Sequence, residues 1–158
     1  MKNFILILTG FILGIILIAV IMFVFFPSMM IETSESSLGY EETIAAIDNN
    51  TIDHGWAVLK VWDMKRRMDN AGYEESPRVS IIELCQADYT HRILQEENDR
   101  FISSIMPYRI AIYENSDGKV YISRMNLGLM SKFFSSNVKE VMGEAVIDNK
   151  NILKEILN

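Results

Sequence analysis

The chain has 158 residues, 49% of them hydrophobic, with 15 basic against 21 acidic side chains, a net charge of −6 and one cysteine. A single cysteine excludes an intramolecular disulfide framework, and the acidic balance, relieved only at Lys65-Arg66-Arg67, argues against a nucleic-acid partner, whose phosphates need a basic footprint. Gly-x-Ser-x-Gly, His-Glu-x-x-His, Cys-x-x-Cys and Gly-rich phosphate loops are all missing, so no hydrolase, zinc-peptidase, thioredoxin-like or nucleotide-binding signature is present.

From Phe4 to Phe26 the chain carries no charge at all. At about 1.5 Å per residue a helix of that length matches a hydrocarbon core roughly 30 Å thick. A cleaved secretory signal has a shorter apolar core, about 7–15 residues, and small residues at the cleavage site. This run instead ends Met22-Phe23-Val24-Phe25-Phe26-Pro27-Ser28, with bulky residues where a peptidase requires small ones. Residues 1–27 are therefore expected to remain as a transmembrane anchor, with the membrane as partner along residues 4–26. Lys2 precedes the run and Glu32 and Glu35 follow it, so the positive-inside rule places the N-terminus in the cytoplasm and residues 28–158 outside. Without Lys2 that outer part holds 14 basic and 21 acidic residues, a charge of −7, and has the length of one domain.

Met29–Glu35 reads as a first strand leaving the membrane almost without a linker. Gly39-Tyr40-Glu41-Glu42-Thr43 starts a helix, with glycine as cap and two carboxylates at the positive end of the dipole. Ile44, Ile47 and Thr51/Ile52 give it an apolar face, and Gly55 ends it. A second strand follows at Trp56–Val61, then a short basic helix at Asp63–Ala71 closed by Gly72. Arg78–Leu84 is a β-branched strand behind Pro77. Gln86–Glu97 is an amphipathic helix with Tyr89, Ile93 and Leu94 inward. Tyr108–Glu114 and Lys119–Arg124 alternate around Asn115-Ser116-Asp117-Gly118 as a hairpin. Helix is expected at Gly128–Phe134, again over Val138, Val141, Met142 and Ala145, and in a separate last segment, Ile152–Leu157. Antiparallel strands mixed with helices make an α+β fold.

Chemistry-bearing residues gather at the end of the third strand, where Glu83-Leu84-Cys85 runs into a helix start with Asp88 and His91. A thiol there gains thiolate character from the helix dipole. Cys85 with His91, or with the soft thioether of Met106, is a metal-ligand candidate; burial as an inert core thiol is the competing reading. Arg109 and Arg124, on the two hairpin strands, either pair with Glu114 or Glu83 or face an anionic ligand.

The run Gly39-Tyr40-Glu41-Glu42-Thr43, then Gly55-Trp56, Val61-Trp62-Asp63 and Glu83-Leu84-Cys85, resembles the domain of unknown function 302. The resemblance continues through Pro107-Tyr108-Arg109-Ile110, Tyr113-Glu114 and Asp117-Gly118-Lys119-Val120-Tyr121-Ile122, and covers residues 29–146. It implies a TATA-binding-protein-like α+β domain, a curved antiparallel sheet with helices on one face, often a homodimer, with no established reaction and no known cofactor. Members often carry a second cysteine directly after the proline at 107. Tyr108 occupies that place here, which undermines a two-thiol mechanism. The expected function is a membrane-anchored, non-catalytic binding module for a small ligand or a membrane-associated protein, with Cys85, Tyr108, Arg109 and Arg124 at the site. The alternatives are a metal or haem site using Cys85, His91 and Met106, and a purely structural dimerisation or docking domain.

Overall fold

The computed structural model describes residues 2–157; Met1 and Asn158, the outer bounds of the two expected segments, lie outside them. The first helix, α1 (Lys2–Met29), outruns the apolar stretch and contains Pro27 in its last turn, where the missing N–H removes one hydrogen bond near the helix end. Its Thr9–Met29 portion, with a mean hydropathy of 2.9 and no fully buried residue, is long and apolar enough to cross a membrane. One residue later the sheet begins.

Five strands, β1 (Ile31–Glu35), β2 (Ala57–Asp63), β3 (Val79–Cys85), β4 (Tyr108–Glu114) and β5 (Val120–Met125), form one antiparallel sheet in the order β1-β5-β4-β3-β2. Side chains alternate across it. Ile82 and Leu84 of β3, Ile110 and Ile112 of β4 and Val120 and Ile122 of β5 point to one face and are buried there. The hairpin turn forms as its residues dictate. Gly118 takes φ of +78°, donates to Asn115 O at 3.0 Å, and lets Asn115 N reach Lys119 O at 3.0 Å.

Helices cover the apolar face. The first of them, α2 (Tyr40–Asp53), starts where expected; Gly39 is its cap, and the Glu42 carboxylate accepts from Gly39 N at 2.9 Å. Its inward residues are Tyr40, Thr43, Ile47 and Thr51, whereas Ile52, expected inside, is 59% exposed. The Thr43 hydroxyl is accommodated inside by hydrogen bonds to Ser36 Oγ (2.7 Å) and Gly39 O (2.8 Å). The short α3 (Met64–Asn70) buries nothing, and its basic run is a solvated face in which Arg67 lies over the Trp62 ring at 4.7 Å. After β3 comes α4 (Ala87–Gln95), then a 3-10 segment, Glu97–Ile105, in a stretch given no element above.

Beyond the hairpin, α5 (Leu127–Met130) and a 3-10 turn, Ser131–Phe133, occupy the expected helical stretch. The two final helices expected from sequence are one: α6 (Ser136–Leu153) runs 18 residues, and Ile156 and Leu157 close back onto the domain by a bridge between Leu157 and Ser36. The main core joins α2, α6 and the covered sheet face through Ile47, Ile82, Ile110, Ile122, Ala145 and Ile152; a smaller one joins α4, the 3-10 segment and α6 through Ile93, Ile102, Val138, Val141 and Met142. Among the described residues, neither core includes one from α1. The architecture is the expected α+β arrangement, an antiparallel sheet with helices on one face.

Candidate functional site

The two cores do not close completely on each other. Where β3 ends, Gln86 caps α4 by accepting from Tyr89 N at 3.1 Å, and this tight strand-to-helix turn holds Leu84, Cys85 and Tyr89 against Trp56. The entry to β4 contributes Met106 and Tyr108, and α6 contributes Met142 and Ala145. Together they line a cavity of about 80 Å³, whose wall is dominated by Ile, Leu, Val and Met side chains.

One carboxylate organises the aromatic side of this cavity. Asp148 Oδ2, on α6, accepts from Trp56 Nε1 at 3.0 Å and from Tyr89 Oη at 2.8 Å, while the two rings meet edge to face with centroids 5.7 Å apart. Burial first, and then the Asp148 carboxylate, push the Tyr89 phenol up to about 12. Tyr89 therefore stays a neutral donor at physiological pH. Outside the same contact, Arg92 of α4 clamps α6 through Glu144 at 2.8 Å and Glu140 at 3.2 Å. The guanidinium holds the Glu144 carboxyl below its ordinary value.

Cys85 is half-buried, with Sγ 3.4 Å from Thr90 Oγ1. Because Thr90 Oγ1 already donates to Gln86 O at 3.0 Å, the thiol is the donor of that pair. Met106 and Tyr108 share its cavity, so three of the residues singled out from sequence converge. His91 does not enter it: the imidazole is exposed on the outer side of α4, beside a shallow hollow that only Cys85 shares among the proposed ligands. Among the described residues no three of His, Cys, Asp and Glu gather closely enough to hold a metal ion.

The two hairpin arginines part company. Register pairs Arg124 with Ile110 and Glu83 with Arg109, so alternation sends Arg124 to the helix-covered face and Arg109 to the uncovered one. Arg109 is bound there to Glu83 at 3.0 Å and lies 60% exposed. Arg124, only 13% exposed, pairs through Nη2 with Glu32 of β1 at 3.0 Å. Beside it, burial pushes the Tyr108 phenol far above its ordinary value, with the Arg124 charge pulling the other way. The Tyr108 hydroxyl reaches Met125 O at 3.4 Å.

Sequence reasoning placed Trp56 in a strand and Ala145 on a helix face but put neither of them, nor Asp148 or Asn149, at the site. A signal for Asp148 existed. It lies three residues after Ala145 and seven after Val141, so a helix continuing through it carries a charged residue on its inward stripe, and a buried charge requires partners.

The domain of unknown function DUF302 matches residues 32–157. No curated protein matches the chain. Among solved structures the fold is similar to the crystal structure of an uncharacterized conserved protein DUF302 from Bacillus stearothermophilus, with 19% sequence identity and a TM-score of 0.70. That match covers 80% of this chain and 98% of the other, and at this identity it shows the fold alone. Almost all of that chain is accounted for by the match, and among the described residues neither core draws on α1.

Proposed function

Because the chain belongs to the DUF302 family, whose description assigns no activity, we propose its function from its own cavity: a membrane-anchored binding module that holds a small, mainly apolar ligand. The cavity between the two cores, with Cys85, Met106 and Tyr108 in its wall, carries this reading. This partly open space of about 80 Å³ leaves apolar side chains without packing partners, which is retained at a cost in stability. It is about half the roughly 150 Å³ that accepts benzene in an apolar engineered cavity, so a short aliphatic group fits better than a ring. A porphyrin is far too large for it.

The anchor rests on α1, and its orientation on Lys2 before the apolar run and the acidic residues after it. Protease added to intact cells should remove a C-terminal tag on the full chain. Protection of the tag until the membrane is breached would reverse the orientation.

Binding is tested on residues 28–158 by methyl NMR during titration with pentan-1-ol. Saturable shifts confined to Ile93, Ile105, Met106, Met142 and Leu127 are expected. Shifts spread over the whole surface, or none below the solubility limit, would refute the cavity as a binding site. Metal content and the absorption spectrum of the same material, purified under reducing conditions, test the rival use of Cys85 and Met106 as ligands.

A further inference from the structure

Behind Tyr108, Met125 and Leu127, which line the apolar cavity on one side, lies a second hollow of about 220 Å³ with a different character. It opens between the β1–β5 edge of the sheet and α6, and Arg124, Glu32, Asn149 and Lys150 face it. Two of these side chains are incomplete. Arg124 uses Nη2 on Glu32, but its buried Nη1 has no hydrogen-bond partner. Asn149, 5% exposed on α6, leaves both its amide oxygen and its amide nitrogen without a hydrogen bond of acceptable geometry, although the amide lies close enough to the Tyr108 hydroxyl to favour its ionised form.

Buried polar groups are nearly always satisfied, so a guanidinium edge and a primary amide unsatisfied in one hollow mark a place where something with acceptor oxygens belongs. The charges say which kind. Arg124 and Lys150 outweigh Glu32 by one positive charge, in a chain whose net charge is −6. One negative charge balances the hollow, whereas a dianion such as a phosphate monoester would meet the Glu32 carboxylate with a charge left over. Guanidinium and carboxylate are also matched in shape. Tyr108 stands on the wall common to both spaces, with its hydroxyl turned to Met125 O at 3.4 Å.

We propose that this hollow is the head-group site for a short-chain monocarboxylate, whose carboxylate lies at Arg124 Nη1 and Asn149 and whose aliphatic end enters the cavity beyond Tyr108. The assignment rests on the apolar cavity being the binding site for the ligand's other end.

The experiment separates the two. Residues 28–158 are titrated calorimetrically with pentanoate, pentan-1-ol, acetate and inorganic phosphate, in the wild type, in the charge-neutral double variant Glu32→Gln/Arg124→Gln, and in Asn149→Leu. Pentanoate is expected to bind at least tenfold more tightly than pentan-1-ol to the wild type. Both variants should lose at least tenfold in pentanoate affinity, with pentan-1-ol unchanged. Equal affinity for pentanoate and pentan-1-ol overturns the carboxylate site and leaves the cavity reading standing. Acetate binding that falls with Glu32→Gln/Arg124→Gln, without any pentan-1-ol binding, supports the head-group site and overturns its link to the cavity. Binding of inorganic phosphate in preference to pentanoate, or no binding of any probe, overturns the proposal. Circular dichroism spectra matching the wild type establish that both variants fold, and Asn149→Leu, which keeps the Arg124–Glu32 pair, carries the test should the double variant fail to fold.

Discussion

Filling the cavity should stabilise the domain while abolishing its binding. Ala145 sits on the inward stripe of α6, is 6% exposed and faces the void. At about 24 cal/mol per Å³, a dry void of about 80 Å³ costs at most ~2 kcal/mol. Ala145→Leu adds three buried carbon groups, worth ~0.8 kcal/mol each, and leucine is nearly as good a helix former as alanine. The void does not have the shape of a leucine side chain, and it is partly open, so about half of that ceiling is expected. A gain of about 1 kcal/mol raises the midpoint of thermal unfolding by roughly 4 °C for a domain of this size. Urea unfolding of residues 28–158 gives the free energy directly, with an unchanged m-value as the check that both states keep their compactness. A loss of ~1–3 kcal/mol instead is the signature of overpacking and would mean that the space is not there to be filled. Wild-type affinity for pentan-1-ol in a stabilised Ala145→Leu variant would equally refute the argument, since ligand and leucine cannot share the space.

Asp148→Ala leaves the Trp56 and Tyr89 donors unpaired and should cost ~2–4 kcal/mol by denaturant unfolding, with Asp148→Asn milder because its amide oxygen still accepts. Absorbance at 295 nm should show the Tyr89 phenol ionising at about pH 12; Asp148→Asn should bring that step to lower pH, and Tyr89→Phe should delete it. Since the folded value lies above the ordinary 10.0, the stability that Tyr89 contributes is whole below pH 10 and is lost as pH rises through about 12. Glu144 behaves in the opposite sense. Its carboxyl is held below the ordinary 4.5 by Arg92, so that contribution is present above pH 4.5 and disappears as pH falls through the folded value; Arg92→Met should flatten this part of the acid-unfolding curve.

The parts of the fold that follow from local chemistry were legible. The hairpin from Tyr108 to Arg124 is set by its Asn-Ser-Asp-Gly turn and β-branched alternation, and the start of α2 by Gly39 and its carboxylates. Alternation also contained the separation of Arg109 from Arg124, since pairing Arg124 across from Ile110 commits the two arginines to opposite faces. The 3-10 segment Glu97–Ile105 buries only Asp99 and Ile102. It is held by tertiary contacts: Ser135 Oγ and Asn137 Nδ2 both donate to Asp99 Oδ2, at 2.9 and 3.1 Å. Within α6, Asp148 and Asn149 interrupt the apolar pattern and make one helix read as two. The same two residues serve the aromatic wall and the carboxylate hollow, so the pattern fails where polar groups are turned inward for a purpose.

The junction between α1 and the sheet has a mechanical consequence. Only Met30 separates α1 from β1, and the joint is splinted: Asn126 donates through N to Met30 O at 2.8 Å and through Nδ2 to Met29 O at 3.2 Å, and the Phe26 and Phe133 rings meet edge to face at 5.6 Å. A flexible tether would let the domain tumble independently of the lipid. In the anchored arrangement proposed above, a splinted joint makes helix and domain one lever, so that a change in the tilt of α1 swings the domain through the same angle.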